Sequence, residues 1–232
     1  MKTDDQVDKK ISVIITGATG MVGEGVLHEC LIHPDVERIL LINRRPCGLS
    51  HPKLKEIVQA DLFDLSSVES QLSDYQACFY CLGVSSVGMS EAEYSRITYD
   101  LTLYVAGLLS RLNPEMVFCY VTGEGTDQTE QGKSMWARVK GRTENHLLQL
   151  PFKRAYMFRP GYIHPIKGLN NAHRYYAVLS WIYPILRRLM PKYVISLSEL
   201  GRAMITLVNE GYEASILTSK DMEEIVKRQV SH

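Results

Sequence analysis

Apolar runs of strand length alternate with segments of helical periodicity between residues 11 and 160, and this alternation restricts the fold more than any other feature. Most runs are apolar throughout, so both faces of each strand should be covered. Strands separated by helices form parallel sheets with crossover helices. We therefore predict an α/β fold built on a parallel sheet. The predicted strands are ISVIIT (11–16), RILLIN (38–43), EIVQA (56–60), ACFYCLG (77–83), MVFCYVT (116–122) and RAYMFRP (154–160).

Helical segments fill the intervals between these runs. Apolar residues share one face of a predicted helix over 20–32. Ser90 and Glu93 have the spacing of a capping box, which opens a helix that runs to about Leu112. Another helix is predicted over about 134–149. Near the C-terminus, the pattern predicts two helices around one short strand.

A chain of 232 residues, 45% hydrophobic, is long enough for one domain, which we place at residues 1–232. After Pro160 the sequence is rich in turn-forming residues and then apolar, and we predict that 161–197 form a small substrate-side region or lid. For 179–191 we favour a packed lid or edge helix because Pro184 interrupts the segment. An amphipathic contact with a membrane or a partner stays the alternative.

Charge and cysteine content restrict the partners. Lys plus Arg and Asp plus Glu both number 26, so no net field favours nucleic acid. The polar N-terminus and the absence of about 18 successive apolar residues predict a cytoplasmic protein without a membrane span. Five cysteines, mostly in apolar runs, predict free thiols. Cys78 and Cys81 form a CxxC pattern. Residues three apart in a strand point to opposite faces, so we do not expect these two thiols to share a metal ion or a disulfide. No histidine has metal-ligand spacing, so we expect no metal.

The glycine spacing of ITGATGMVG, residues 15–23, predicts a dinucleotide site. Gly17, Gly20 and Gly23 follow a predicted strand and open a predicted helix. In that context the glycines allow a tight turn, approach to a pyrophosphate and close packing of helix on sheet. Backbone N–H groups and the helix dipole then hold the phosphates. The predicted contacts are Gly17, Thr19, Gly20, Met21, Val22 and Gly23.

The end of the second predicted strand indicates which dinucleotide. About 20 positions after the last glycine, NAD-binding folds carry an acidic residue for the ribose. This chain has Asn43 there, followed by Arg44 and Arg45. Guanidinium groups match a 2′-phosphate, so NADP(H) is predicted in preference to NAD(H). A solvated pair of surface arginines stays the alternative.

Two later strand ends are predicted to complete the groove. Asp61, followed by Leu62, offers an acceptor for the adenine amino group. The backbone of Cys81, Leu82 and Gly83 should pass close to the adenosine ribose.

Several motifs together resemble one superfamily: GATGMVG, NRR, ADL, CLG, the Lys140-Gly141 pair, FRPG (158–161) and LGRAMI. They resemble the atypical and extended short-chain dehydrogenase/reductases, in particular the Tat-interacting-protein-like and NmrA-like branch, whose members are often labelled nucleoside-diphosphate-sugar epimerase homologues. The resemblance covers nearly the whole chain. It implies a single Rossmann-type, doubly wound parallel sheet with helices on both faces, and it places Pro160 and Gly161 beside the cofactor.

Active members carry a Ser/Thr, Tyr and Lys set, and the resemblance implies roles for its counterparts here. Thr122 would polarise the substrate oxygen, and Lys140 would hold the nicotinamide ribose. The tyrosine position, four residues before the lysine, is Trp136. An indole N–H donates a hydrogen bond but does not ionise in the usable range, so Trp136 cannot be the general acid. A stacking role at the nicotinamide and a plain helix-face role both stay open for it.

Other residues could lie on the substrate side. Tyr162 and His164 follow the FRPG segment, and Glu124 follows Thr122 closely. Imidazole has a suitable pKa for proton transfer. Nothing in the spacing forces these side chains onto the site, so a structural or surface role is favoured for each.

Three functions follow as hypotheses. The first is an NADP-dependent oxidoreductase of a small carbonyl or alcohol, with the proton supplied by water or an unassigned residue. The second, favoured by Trp136, is a sensor that binds NADP(H) and transmits its occupancy to a protein partner. The third, a nucleotide-sugar epimerase, is weakened because about 70 residues after Gly161 leave little room for a substrate domain. A homodimer that forms through helices flanking the sheet stays open as an alternative.

Overall fold

The computed structural model of the protein describes residues 10–169, 171 and 183–230. The strands of this part of the chain are β1 (Ile11–Thr16), β2 (Val36–Asn43), β3 (Leu54–Val58), β4 (Ala77–Tyr80), β5 (Val117–Val121), β6 (Arg154–Arg159), β7 (Tyr162–His164), β8 (Val194–Ser196) and β9 (Ile216–Thr218). The α-helices are α1 (Met21–Ile32), α2 (Glu91–Ser95), α3 (Leu101–Leu112), α4 (Met135–Leu147), α5 (Tyr183–Leu189), α6 (Leu197–Glu210) and α7 (Ser219–Val230).

Seven of the described strands form one parallel sheet in the order β3-β2-β1-β4-β5-β6-β9. The chain builds outward from β1 in one direction through β2 and β3, and in the other through β4, β5 and β6. The order therefore reverses between β1 and β4. Connections leave these two neighbouring strands in opposite directions, which opens a crevice at their carboxyl ends. The predicted doubly wound, Rossmann-type sheet is confirmed.

Helices cover both faces of the sheet. Successive strand residues point to opposite sides, so strands that are apolar throughout present an apolar surface on each face. Val13 and Ile15 of β1 lie in one buried cluster with residues of α1, α6 and α7. Ile14, between them, lies in a second cluster with residues of α3 and α4. All three side chains are fully buried. The uniformly apolar strands thus have the two covered faces that their composition predicted.

The predicted elements are confirmed with shifts at their ends. β4 ends at Tyr80, before the predicted end at Gly83, because its neighbour β1 ends at Thr16 and gives way to the glycine loop. The N–H of Cys81 still donates to the carbonyl of Thr16, at 3.3 Å. Cys81 therefore lies beyond the strand, so the prediction that it shares β4 with Cys78 is wrong. All five cysteines are free thiols.

The helix predicted after Ser90 begins with the predicted capping box. The Ser90 hydroxyl accepts from the N–H of Glu93 at 3.3 Å, and the Glu93 carboxylate accepts from the N–H of Ser90 at 2.9 Å. A π-helical turn, Arg96–Asp100, separates α2 from α3, which the sequence pattern did not predict. At the C-terminus, α6 and α7 flank β9, as predicted.

The predicted substrate-side region, 161–197, contains a second small sheet in which β7 and β8 pair in parallel. Arg187 of α5 contacts Glu199 of α6 and lies 3.5 Å from Glu223 of α7. These contacts fix α5 against the C-terminal helices. Residues 170 and 172–182, which include Trp181 and part of the predicted lid helix, lie outside the described residues. No helix that the structure describes is long and apolar enough to cross a bilayer.

Candidate functional site

Two adjoining cavities occupy the crevice at the carboxyl ends of β1 and β4. The first has a volume of about 630 Å³ and the second about 740 Å³. Gly20 and the segment Cys81, Leu82 and Gly83 line both. The remaining walls of the first cavity are Gly17, Thr19, Ile42, Asn43, Arg44, Arg45, Ala60 and Leu62. The second adds Met21, Val22, Val84, Ser85, Val121, Thr122, Gly123, Glu124, Lys140, Pro160, Gly161 and Ile163.

The glycine loop tolerates no side chain at two of its three glycines. Gly17 has a φ of +73°, and a Cβ there would lie 2.7 Å from the carbonyl carbon of Cys81. A Cβ at Gly23 would lie only 2.2 Å from the carbonyl oxygen of Gly17. The N–H of Gly20 donates to the same oxygen at 3.0 Å, which closes the turn. The loop therefore brings backbone alone to the junction of the two cavities.

The first turn of α1 points its free N–H groups at this junction. Gly20 is the N-cap, and no side chain that the structure describes caps the helix there. The carboxylate of Glu24, in the same turn, accepts from the N–H of Asn171 at 2.8 Å. The uncapped N–H groups and the positive end of the helix dipole suit an anion. The backbone cradle and the two-part crevice thus fit a dinucleotide pyrophosphate.

Arginines line the first cavity at the end of β2. Arg44 and Arg45 are exposed, whereas Asn43 is buried and donates from Nδ2 to Glu56 Oε1 at 2.7 Å. The N–H of Cys47 donates to the same oxygen at 2.9 Å. Sequence reasoning did not single out Glu56, because the carboxylate comes from the neighbouring strand β3. This end of the crevice presents guanidinium groups and no carboxylate at the Asn43 position.

Asp61 lies outside the wall that its neighbours form. Ala60 and Leu62 line the first cavity, but Asp61 is exposed and accepts from the N–H of Phe63 at 2.9 Å. This contact uses the carboxylate to stabilise a local turn. The geometry therefore gives no support to Asp61 as the acceptor for an adenine amino group.

Lys140 lines the second cavity. Its ammonium group donates to the carbonyl oxygen of Thr122 at 2.8 Å. Burial lowers the pKa of Lys140 to about 8, and the negative charge of Glu144, one turn along α4, only partly opposes this effect. An ammonium group has three N–H donors, so the contact with Thr122 leaves two for a ligand.

The hydroxyl of Thr122 contacts a buried carboxylate. It donates to Glu144 Oε1 at 2.7 Å and lies 3.1 Å from the carbonyl oxygen of Phe158. Glu144 is fully buried and also accepts from Arg159 Nε at 3.0 Å, with a second contact from the same guanidinium. Because a hydroxyl carries one proton, this arrangement opposes the predicted role of Thr122 in polarising a substrate oxygen. The sequence carried no local signal for this network, because Glu144 lies 22 positions from Thr122 and 15 positions from Arg159.

Three predicted substrate-side residues do not line the cavities. Trp136 is half-buried. Its indole ring lies next to Gly125, where an added Cβ would contact the ring at 3.5 Å. In β7, Ile163 lines the second cavity, so the alternation of a strand turns Tyr162 and His164 to the other face. The ring of His164 stacks on Tyr183 at a centroid distance of 3.8 Å. Burial lowers the pKa of His164 from its usual value.

Within the described part of the chain, no group of three His, Cys, Asp or Glu side chains could hold a metal ion.

Comparison with known proteins supports the dinucleotide assignment. Residues 13–134 match the NAD dependent epimerase/dehydratase family. The chain is 28% identical over 165 residues to leucinostatins biosynthesis cluster protein T of Purpureocillium lilacinum, covering 68% of this chain and 60% of that protein. It is 31% identical over 159 residues to protein fmp52, mitochondrial, of Emericella nidulans, covering 66% of each. Protein HTATIP2 of Rattus norvegicus is 26% identical over 163 residues, covering 69% of this chain and 66% of that protein.

The chain therefore spans less than two thirds of the length of these relatives. One of them is named mitochondrial, so the predicted cytoplasmic location is not confirmed.

Solved structures share the fold at low sequence identity. UDP-N-acetylglucosamine 4-epimerase from Methanobrevibacter ruminantium M1 has a TM-score of 0.65 at 18% identity, covering 97% of this chain and 83% of that one. WbmG of Bordetella bronchiseptica, in complex with NAD, has a TM-score of 0.64 at 13% identity, covering 96% of this chain and 79% of that one. At such identities the likeness establishes the architecture alone.

Proposed function

Because the chain belongs to the NAD dependent epimerase/dehydratase family, we propose that it binds NADP(H) in this crevice and acts as a short-chain-type oxidoreductase on a small carbonyl or alcohol. The observation that carries the proposal is the backbone cradle of Gly17 and Gly23 between the two cavities, of which the first contains Arg44 and Arg45 and the second contains Lys140. This order matches the order of groups along a phosphorylated dinucleotide.

In this proposal each end of the crevice has a separate binding role. The N–H groups at the start of α1, next to Gly20, hold the pyrophosphate. Arg44 and Arg45 hold the 2′-phosphate, since guanidinium groups pair with phosphate oxygens at close range. Lys140 donates to the nicotinamide ribose. When bound, the nicotinamide supplies hydride chemistry.

We assign the proton-holding role to Lys140 Nζ. Trp136 has no ionisable proton, and the Thr122 hydroxyl donates to Glu144. Lys140 lines the cavity and has a pKa of about 8, so it both gains and loses a proton near neutral pH. The ammonium form would donate to a substrate carbonyl oxygen during reduction. The neutral amine would accept the proton of an alcohol during oxidation.

Titration with nicotinamide nucleotides tests the binding part of the proposal. We expect isothermal titration calorimetry to give at least a tenfold preference for NADPH over NADH, because a charge-assisted hydrogen bond contributes about 1.5–3 kcal/mol. Replacing both Arg44 and Arg45 with glutamine should remove the preference and leave NADH affinity within about twofold. Arg154→Gln, at an exposed position at the opposite end of the sheet, is the control. Equal affinities in the wild type would refute the predicted NADP(H) preference.

A sensor that binds NADP(H) without turnover is the second candidate, and Trp136 at the tyrosine position favours it. Initial rates with a panel of carbonyl compounds and NADPH, measured across pH, separate the two. For an enzyme that uses Lys140, reduction should fall as the pH rises through about 8, where the ammonium proton is lost, and alcohol oxidation should rise over the same range.

Lys140→Met should abolish both activities, whereas Lys133→Met, an exposed lysine just before the same helix, should retain both pH limbs. For a sensor, the wild type should give no turnover at any pH, although calorimetry still detects NADPH binding.

A further inference from the structure

Glu56 ties together both ends of the segment that carries the two arginines. Its Oε1 accepts from the side-chain amide of Asn43 at 2.7 Å and from the backbone N–H of Cys47 at 2.9 Å. Asn43 is the last residue of β2, and Cys47 follows the turn. One carboxylate oxygen on β3 therefore bridges the residues on either side of 44–46.

The rest of this segment, residues 44–46, lies at the surface. Arg44 and Arg45 are exposed, and Pro46, also exposed, has a fixed φ but no N–H to donate. Glu56 is held in turn by the parallel pairing of its strand, in which it lies opposite Leu41. Glu56 does not itself line either cavity among the described residues. Its effect on a ligand must therefore pass through the position of the turn.

We propose that Glu56 is the positioning residue that gives the crevice its preference for a 2′-phosphate, by holding the Asn43 amide and the Arg44–Arg45 turn in one arrangement. This inference rests on the proposed function. Two flexible arginine side chains lose less freedom on binding when their backbone is already fixed.

The test compares two substitutions of Glu56 by calorimetric titration with NADPH, NADH and the fragments 2′-AMP and 5′-AMP. Glu56→Ala removes both hydrogen bonds and should weaken NADPH and 2′-AMP binding at least tenfold, while NADH and 5′-AMP change less than about twofold. Glu56→Gln keeps a carbonyl oxygen that can accept both bonds. It should restore NADPH affinity to within about threefold of the wild type.

Glu37→Ala is the matched control. Glu37 is an exposed carboxylate near the start of β2, where it accepts from the Ser12 hydroxyl at 3.2 Å. It lies six residues from Asn43, about 20 Å along the strand. The substitution removes one negative charge from the opposite end of β2, and it should leave the ratio of NADPH to NADH affinity unchanged.

Different binding results would overturn the role of Glu56 and the proposed function. A wild-type protein that binds neither nucleotide overturns the proposed function. A wild type that prefers NADPH, with the same preference after Glu56→Ala, overturns the role of Glu56 alone, as does an equal loss of NADPH and NADH affinity. If the alanine variant does not fold, Glu56→Asp decides, because its carboxylate is one methylene too short to reach both donors and should weaken NADPH alone.

Discussion

Replacing Gly23 with alanine is expected to abolish measurable binding of both NADPH and NADH. The added Cβ would lie 2.2 Å from the carbonyl oxygen of Gly17 and 2.9 Å from the N–H nitrogen of Ala18. Both are backbone atoms, so neither can move aside as the tip of a side chain would. Either α1 moves away from β1 or the glycine loop changes its path, and each change destroys the arrangement of N–H groups at the helix start.

Titration and urea unfolding together measure this effect. We expect an affinity loss of more than about 100-fold, equivalent to about 3 kcal/mol, and a stability loss of about 1–3 kcal/mol from overpacking. Gly107→Ala, in α3, is the control for folding, because its Cβ would have no atom nearer than 3.9 Å. It should retain the wild-type affinity.

Gly20→Ala separates the ligand's needs from those of the fold. A Cβ there would have its nearest neighbour at 3.5 Å, an ordinary contact, so the free protein should unfold like the wild type. Its binding should nevertheless be weaker, because the Cβ would occupy the approach of the pyrophosphate. If Gly23→Ala bound NADPH normally, the pyrophosphate would not lie at this helix start.

Local sequence patterns were sufficient to predict most of the fold. β1, α1 and β2 follow one another within residues 11–43, where two short apolar runs flank the segment that the glycine spacing opens. The ends of strands depend on neighbours that the local pattern does not contain. β4 stops at Tyr80 because β1 has already turned into the glycine loop, and the π-helical turn at Arg96–Asp100 had no recognisable signal.

The candidate site, like the fold, has one part that a local pattern predicts and another that depends on distant residues. The glycine spacing is local, and it predicted the cradle that the structure contains at Gly17 and Gly23. The direction of one side chain at a strand end depends on distant partners. The Thr122 hydroxyl donates to Glu144, which is 22 positions away in sequence. The side-chain amide of Asn43 at the end of β2 donates to Glu56 on the neighbouring strand β3.

Removing the guanidinium of Arg159 is expected to cost about 3–5 kcal/mol of the free energy of unfolding. Glu144 is fully buried, and Arg159 is its cationic hydrogen-bonding partner from β6. In Arg159→Met the carboxylate would keep its bond from Thr122 but lose the charge that compensates its removal from water. Urea unfolding measures the loss.

A double-mutant cycle shows whether the pair, and not the arginine alone, is responsible. In Arg159→Met combined with Glu144→Gln, no uncompensated charge remains, so the combined loss should be smaller than the sum of the single losses by at least about 2 kcal/mol. Lys220→Met, which breaks an exposed pair with Glu224, should cost less than about 0.5 kcal/mol. Additive losses in the cycle would mean that Arg159 stabilises the fold through packing alone. A large coupling would instead mean that Arg159 and Glu144 stabilise the fold as a charged pair. The Thr122 hydroxyl donates to the same carboxylate, and its carbonyl oxygen accepts from Lys140, so this pair lies next to the group that positions the lysine.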